Sequence, residues 1–187
     1  MEYLVKNAVL LFFVSAISYA NCALADETVD SSNYSLTYDP KRDPFSDLVL
    51  ATKRAEEHER LILLIVGGSW CSWCHVLDRF LEKNEAFADL FYETFEVVKI
   101  YYGPKNENEF FLSKFPKIKG YPHFFIMDSN FDLIGDQDTG SLEQKKRYPL
   151  SSEHYQEKRM IEFLDRWAMY LKISSNKDLQ PNVEFND

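Results

Sequence analysis

Residues 61–75 read LILLIVGGSWCSWCH, and this stretch decides the fold. The first six residues are apolar and β-compatible, and Gly67-Gly68 end the run, a pattern typical of a buried central strand. Cys71 and Cys74 follow directly, and the segment VLDRFL at 76–81 continues with helical spacing. The sequence therefore predicts that both cysteines lie where a strand passes into a helix.

This placement matters for the chemistry of the two thiols. A helix N-terminus presents unpaired N–H groups and a partial positive charge, which favour the thiolate of Cys71 over its thiol. A thiolate attacks disulfides, and Cys74, one helical turn later, could then attack the mixed disulfide and release the partner. Two ordinary buried cysteines would have the same spacing, but the order strand, glycine, Cys-x-x-Cys and helix favours a working pair.

The remaining chain alternates between predicted helices and strands. Helices are predicted at 45–57, 84–95, 107–115 and from Ser152 onward, and strands at 95–101, 123–127 and 131–134. Alternation followed by an antiparallel pair predicts an α/β fold with a central mixed β-sheet flanked by helices. We expect an irregular segment at 26–44, one domain at 45–172 with a polar loop at 136–150, and a flexible tail at 173–187.

The first 25 residues resemble a secretory signal peptide. Lys6 precedes an apolar run, and Ala23-Leu24-Ala25 offers the small-x-small pattern of a cleavage site. An uncleaved anchor and a lipoprotein signal at Cys22 are the alternatives, but Asn21 and Cys22 interrupt the span of about 20 apolar residues that an anchor needs. We therefore expect an exported, periplasmic protein with no stable membrane span after cleavage.

Composition narrows the classes of partner. The 187 residues include 30 acidic and 21 basic side chains, for a formal charge of −9, and no basic stripe marks a nucleic-acid partner. Cleavage at residue 25 would remove Cys22 and leave Cys71 and Cys74 as the cysteines of the mature chain. In an oxidising compartment two cysteines this close are more typical of a working pair than of a structural disulfide, since they close almost no loop.

Three motifs together resemble the thioredoxin family. The segment 70–74, Trp-Cys-Ser-Trp-Cys, resembles its active site, and Gly120-Tyr121-Pro122 before a strand resembles its cis-proline loop. Lys99 matches a lysine often found in the strand after the active-site helix. The similarity spans about residues 45–167, and the Trp-Cys-x-Trp-Cys-His pattern is most similar to exported bacterial thioredoxin-like proteins and to related domains of poorly defined role.

The resemblance implies a thioredoxin-like fold and a thiol–disulfide oxidoreductase that reduces, oxidises or isomerises protein disulfides. It implies protein thiol or disulfide substrates, a redox partner protein and no cofactor or metal, while the direction of electron flow stays open. It also implies residue roles: Cys71 as nucleophile, Cys74 as resolving thiol, and Trp70, Trp73, Tyr121 and a cis Pro122 as the substrate groove.

Three positions depart from the family pattern. Ile65 stands where thioredoxin has a buried carboxylate that assists proton transfer, so the proton of Cys74 must leave through water, Lys99 or His75. Trp73 replaces the proline or small residue that is usual between the cysteines, which predicts a bulkier groove. His75 is either a proton-transfer residue or a surface residue, and a helix N-terminus favours its neutral form.

Other readings of the same motif stay open. Cys71-Ser72-Trp73-Cys74-His75 also fits the Cys-x-x-Cys-His attachment motif of c-type haem. A zinc site would need Cys71, Cys74, His75 and His123, although adjacent Cys74 and His75 rarely bind one ion together. Finally, a non-catalytic module could bind peptides through an apolar groove, formed by Trp70, Trp73, Tyr121 and Phe124.

Overall fold

A computed structural model of the chain describes residue 34 and the ranges 37–144 and 154–176. The predicted signal peptide at 1–25, Ser152 and the tail beyond residue 176 lie outside these residues. The elements in chain order are α1 (Pro44–Glu57), β1 (Leu61–Gly67), α2 (Ser72–Lys83), α3 (Glu85–Thr94), β2 (Phe95–Tyr101), α4 (Glu109–Leu112), β3 (His123–Met127), β4 (Leu133–Asp138), a 3-10 turn (Thr139–Leu142) and α5 (Glu157–Ser175).

The strands form one mixed sheet in the order β2-β1-β3-β4. β1 pairs with β2 in parallel and with β3 in antiparallel orientation, and β4 pairs antiparallel with β3. The predicted α/β class and central mixed sheet are confirmed. None of the described helices is long and apolar enough to cross a bilayer.

The central strand β1 is buried along its whole length because helices cover both faces of the sheet. Leu63 and Ile65 point into a core that includes side chains of α2, α3 and α5. Leu64 and Val66 point the opposite way, into a core that includes side chains of α1 and α4. This two-sided burial explains the continuous apolar run in the sequence.

Two element boundaries differ from the prediction because of backbone conformation. α4 spans Glu109–Leu112 instead of 107–115, since Asn108 has a left-handed φ of 46° and its side chain donates to the carbonyl of Tyr101 at 2.7 Å. β4 begins at Leu133 instead of Phe131, because Phe131 has a φ of 66° within the turn. β4 then continues to Asp138, into the segment predicted as a loop.

The last helix begins later than predicted and ends later as well. Backbone bonds from Gln144 N–H to the His154 carbonyl (2.7 Å) and from Gln156 N–H to the Leu142 carbonyl (2.9 Å) hold Tyr155 in an isolated antiparallel bridge with Glu143. α5 therefore starts at Glu157 and not near Ser152. Its end at Ser175 lies beyond residue 172, where the predicted domain ends and the tail begins.

The described part of the predicted irregular segment is packed against the sheet. Tyr34 is 1% exposed, and its carbonyl accepts a hydrogen bond from the Lys99 N–H at 2.9 Å on edge strand β2. The Tyr34 hydroxyl donates to the buried carboxylate of Glu96, which also faces Arg60 at 3.4 Å. These contacts cover a sheet edge that would otherwise present unpaired backbone groups.

Candidate functional site

Cys71 and Cys74 lie at the junction between β1 and α2, as the sequence predicts. Cys71 is the N-cap of α2, and its Sγ accepts a hydrogen bond from the Cys74 N–H at 3.1 Å. A disulfide joins the two residues, whose Cα atoms are 5.3 Å apart. The first turn of α2 contains no acidic side chain. The helix dipole therefore acts on Cys71 without a local carboxylate to oppose it.

An aromatic rim stands beside the dithiol. Trp70 is 48% exposed, its Nε1–H donates to the Tyr102 carbonyl at 2.7 Å, and its ring meets that of Tyr121 edge-on at 5.4 Å. Tyr121 stacks in turn on Tyr102 with ring centroids 5.1 Å apart. Burial, followed by the neighbouring Tyr102, raises the pKa of Tyr121 to about 12, so its hydroxyl stays protonated. We call Trp70, Tyr102 and Tyr121 the aromatic rim.

Pro122 is buried next to the aromatic rim. The peptide bond between Tyr121 and Pro122 is cis, and the Pro122 carbonyl accepts a hydrogen bond from the Thr139 hydroxyl at 2.6 Å. The contact between Trp70 and Tyr121 brings this loop to the residue that precedes Cys71. The structure thus brings together Trp70, Tyr121, Pro122 and the dithiol.

Trp73 lies in a different environment from Trp70. It is partly buried, and its ring meets Tyr155 and His154 edge-on at 6.0 and 5.9 Å. Both partners precede α5, so the ring packs on the core on that side of the molecule. Its assignment to a substrate groove stays a prediction.

His75 is exposed, and its Nε2 lies 2.9 Å from the carbonyl oxygen of Ser69. A carbonyl only accepts, so Nε2 carries the proton in this contact, and Nδ1 is unprotonated when the ring is neutral. The hydrogen bond links α2 back to the loop before Cys71. A role for His75 in proton transfer stays a prediction.

Lys99 belongs to a partly buried polar group that joins β2 to α2. Its Nζ lies 2.8 Å from Oδ1 of Asp78 and 5.3 Å from the centre of the Tyr38 ring. Asp78 follows Cys74 by one helical turn and so lies on the same face of α2. Ile65, by contrast, is fully buried among apolar side chains. The charged groups near the pair therefore come from α2 and β2 and not from β1.

Tyr38 is a residue near the site that the sequence analysis did not identify. A β-carbon placed on Gly67 would lie 2.5 Å from Cys74 Sγ and 3.2 Å from the hydroxyl oxygen of Tyr38. Burial, then the charge of Asp78, raises the pKa of Tyr38 well above its ordinary value. An isolated tyrosine in a polar segment has no periodic context, so nothing in the sequence marked it.

His123, a member of the hypothetical zinc set, is placed elsewhere. Its side chain is buried, and Nε2 lies 2.6 Å from Oδ1 of Asp136 on the neighbouring strand β4. Among the residues that the structure describes, no three His, Cys, Asp or Glu side chains are grouped so that they could hold a metal ion. The described ranges thus offer no zinc set that includes the dithiol.

Comparison with known proteins agrees with this architecture. A family model described as thioredoxin-like matches residues 43–129. The crystal structure of a disulphide isomerase from Xylella fastidiosa Temecula1 superposes with a TM-score of 0.55 at 24% identity, covering 70% of this chain and 95% of that one. An uncharacterized protein of Caenorhabditis elegans is 36% identical over 50 residues, or 27% of this chain.

The chain spans only 7% of the length of that curated relative, so the match concerns a short segment. The structural match shows a shared fold. The mixed sheet, the position of the Cys-x-x-Cys motif at the start of α2 and the family model agree with one another. The described residues have a thioredoxin-like fold, and residues 43–129 match the thioredoxin-like family model.

Proposed function

We propose that this protein is a thiol–disulfide oxidoreductase that acts on protein substrates through Cys71 and Cys74. The observation that carries the proposal is the position of Cys71 as N-cap of α2, with its sulfur accepting the Cys74 N–H and the aromatic rim beside it. The same N–H and the helix dipole would stabilise a Cys71 thiolate in the reduced protein. A stabilised thiolate is both a nucleophile and a good leaving group.

The reaction with a substrate disulfide has two steps. The Cys71 thiolate attacks one substrate sulfur, a Cys71–substrate disulfide forms, and the other substrate sulfur leaves as a thiolate. The Cys74 thiolate then attacks Cys71 Sγ, the internal disulfide forms, and the second substrate sulfur leaves. The protein loses two electrons and two protons, which the substrate gains as two thiols. The reverse sequence donates a disulfide to a dithiol substrate.

The aromatic rim supplies a surface for the substrate. Trp70 is half exposed but fixed by its bond to the Tyr102 carbonyl, so binding a peptide against it costs little side-chain entropy. Tyr121 and the cis Pro122 form the opposite side of the proposed groove. An extended chain in this groove would present its disulfide to Cys71.

Insulin reduction in the presence of dithiothreitol tests the proposal. We expect Cys71→Ser to abolish the activity and Cys74→Ser to accumulate mixed disulfides that are visible on non-reducing gels. In the full-length chain, which keeps residues 1–25, Cys22→Ser is the matched control, because it removes a thiol that the proposed reaction does not use. Equal residual activity in the Cys71 and Cys74 variants would contradict the assigned roles.

Attachment of c-type haem fits this site less well. Both sulfurs would have to form thioether bonds, yet Cys74 is 1% exposed and its sulfur lies against Gly67 next to Tyr38. A porphyrin edge would have to displace these groups. A Soret absorption band in the purified protein would favour haem over the proposed function.

Export and the direction of electron flow are separate parts of the proposal. We propose that residues 1–25 direct the chain to the periplasm, and N-terminal sequencing of the protein from cell fractions tests this. The reduction potential against glutathione assigns the direction. Values near about −270 mV are typical of reductases and values near about −120 mV of disulfide donors.

A further inference from the structure

The resolving step requires a negative charge on Cys74, a residue with almost no solvent contact. Cys74 is 1% exposed, and burial disfavours a thiolate unless nearby groups stabilise it. The side chain of Ile65, on the preceding strand β1, contains no polar atom. The stabilising group must therefore come from another element that reaches Cys74.

Tyr38 supplies such a group. A methyl group on Gly67 would meet both Cys74 Sγ, at 2.5 Å, and the Tyr38 hydroxyl oxygen, at 3.2 Å. The sulfur and the hydroxyl therefore adjoin the same point above Gly67. The side chain is partly exposed as a whole, but its hydroxyl end lies inside, against the buried end of β1.

The groups around Tyr38 keep its proton in place. Burial raises the pKa of Tyr38 first, and the carboxylate of Asp78 and the buried phenol of Tyr155 raise it further. Lys99 lies above the Tyr38 ring, and its Nζ is paired with the carboxylate of Asp78. A phenol that stays protonated is a hydrogen-bond donor at every physiological pH.

We propose that Tyr38 is a positioning residue for the dithiol reaction: in the reduced protein its hydroxyl donates a hydrogen bond to the Cys74 thiolate. This inference rests on the proposed function. In the resolving step the Cys74 sulfur bonds to Cys71, the bond from Cys71 to the substrate breaks, and the substrate leaves with the electron pair. The proton that Cys74 lost passes through solvent to the departing thiolate, and Tyr38 keeps its own.

The direct test is a pH titration of Cys74 in the reduced full-length protein, in which the 13Cβ chemical shift of Cys74 reports its ionisation. We expect Tyr38→Phe, which keeps the ring, to raise the pKa of Cys74 by about one unit, as expected for the loss of a hydrogen bond to a charged group. Tyr92→Phe is the matched control, because Tyr92 also senses the charge of Asp78 but lies on α3. An unchanged pKa of Cys74 in Tyr38→Phe would overturn the proposal.

The rate of mixed-disulfide resolution gives a second readout. A higher thiol pKa leaves less thiolate at low pH but makes the thiolate more nucleophilic, with a Brønsted coefficient of about 0.4–0.5. The Tyr38→Phe protein should therefore resolve about threefold more slowly below the pKa of Cys74 and about threefold faster above it. A uniform slowing at all pH values would indicate a purely structural role and would also overturn the proposal.

The two proposals fail separately. The titration of Cys74 requires no turnover, so it tests Tyr38 even in a protein that reduces no substrate. Insulin reduction that survives Cys71→Ser would instead contradict the proposed function and leave the titration result standing.

Discussion

Replacing Gly67 with alanine should disturb the disulfide state of the protein more than the dithiol state. The added methyl carbon would lie 2.5 Å from Cys74 Sγ and 3.2 Å from Cζ of Tyr38. Unstrained contacts between such atoms fall near 3.5–4.0 Å. The Cys74 sulfur or the backbone at residue 67 must therefore move by about 1 Å, and overpacking of this kind costs about 1–3 kcal/mol in a well-packed core.

The free-energy cost of the added methyl group depends on the redox state, because the Cys74 side chain can change its conformation only in the reduced protein. In the oxidised protein the bond to Cys71 fixes its sulfur, whereas in the reduced protein the side chain can adopt another rotamer. If the whole penalty of about 1–3 kcal/mol falls on the oxidised form, the reduction potential becomes less negative by about 20–60 mV. The variant should therefore be the stronger oxidant.

Denaturant unfolding of both redox forms and a redox titration against glutathione measure the two effects. Gly120→Ala is the matched control, because the nearest atom to its added methyl would be Asp138 Oδ1 at an ordinary 3.9 Å. The expected pattern is a lower unfolding free energy for oxidised Gly67→Ala and a nearly unchanged one for Gly120→Ala. If the two variants match in both oxidised stability and potential, the close approach of Cys74 to Gly67 does not have the assigned cost.

Three further predictions concern the rim, the buried phenols and the start of α1. Trp70→Ala should raise KM for an insulin-type substrate about tenfold with little loss of stability. Trp73→Ala should instead lower the midpoint of thermal unfolding, because Trp73 packs on Tyr155. The reverse pattern would exchange the roles of the two tryptophans. Burial raises the pKa of Tyr155 far above its usual 10.0, so its contribution to stability is complete below pH 10 and falls as pH rises further. Above pH 10, the unfolding free energy measured in urea should fall less steeply with pH in Tyr155→Phe than in the wild type, by about 1.4 kcal/mol per pH unit. Equal slopes in the two proteins would contradict this prediction. Asp43 caps α1 by accepting the Ser46 N–H at 3.1 Å, so Asp43→Ala should lower the unfolding free energy by about 1 kcal/mol, and no change would mean that solvent replaces the cap.

Elements whose cause is local could be predicted from the sequence. β1 is an apolar run ended by glycines, and α2 begins at a Cys-x-x-Cys motif, so both features and the mixed sheet followed from short patterns. The boundaries that failed have causes outside those patterns. Asn108 has a left-handed backbone with its side chain bonded to the Tyr101 carbonyl, and Phe131 has one within a turn in which its N–H donates to the Asp128 carbonyl. The pairing of Glu143 with Tyr155, which delays α5, joins residues on either side of a long loop.

The candidate site divides in the same way. Cys71 and Trp70 belong to the motif, and Asp78 could have been inferred too, since its spacing from Cys74 places both on one face of α2. Tyr38 could not, because its hydroxyl and the Cys74 sulfur adjoin the same point above Gly67 only after the segment before α1 has packed against the end of β1. The sequence already predicted, from Ile65, that β1 supplies no carboxylate side chain to Cys71 and Cys74. A missing group at one position defines a chemical need, but only the three-dimensional packing identifies which distant side chain lies close enough to meet it.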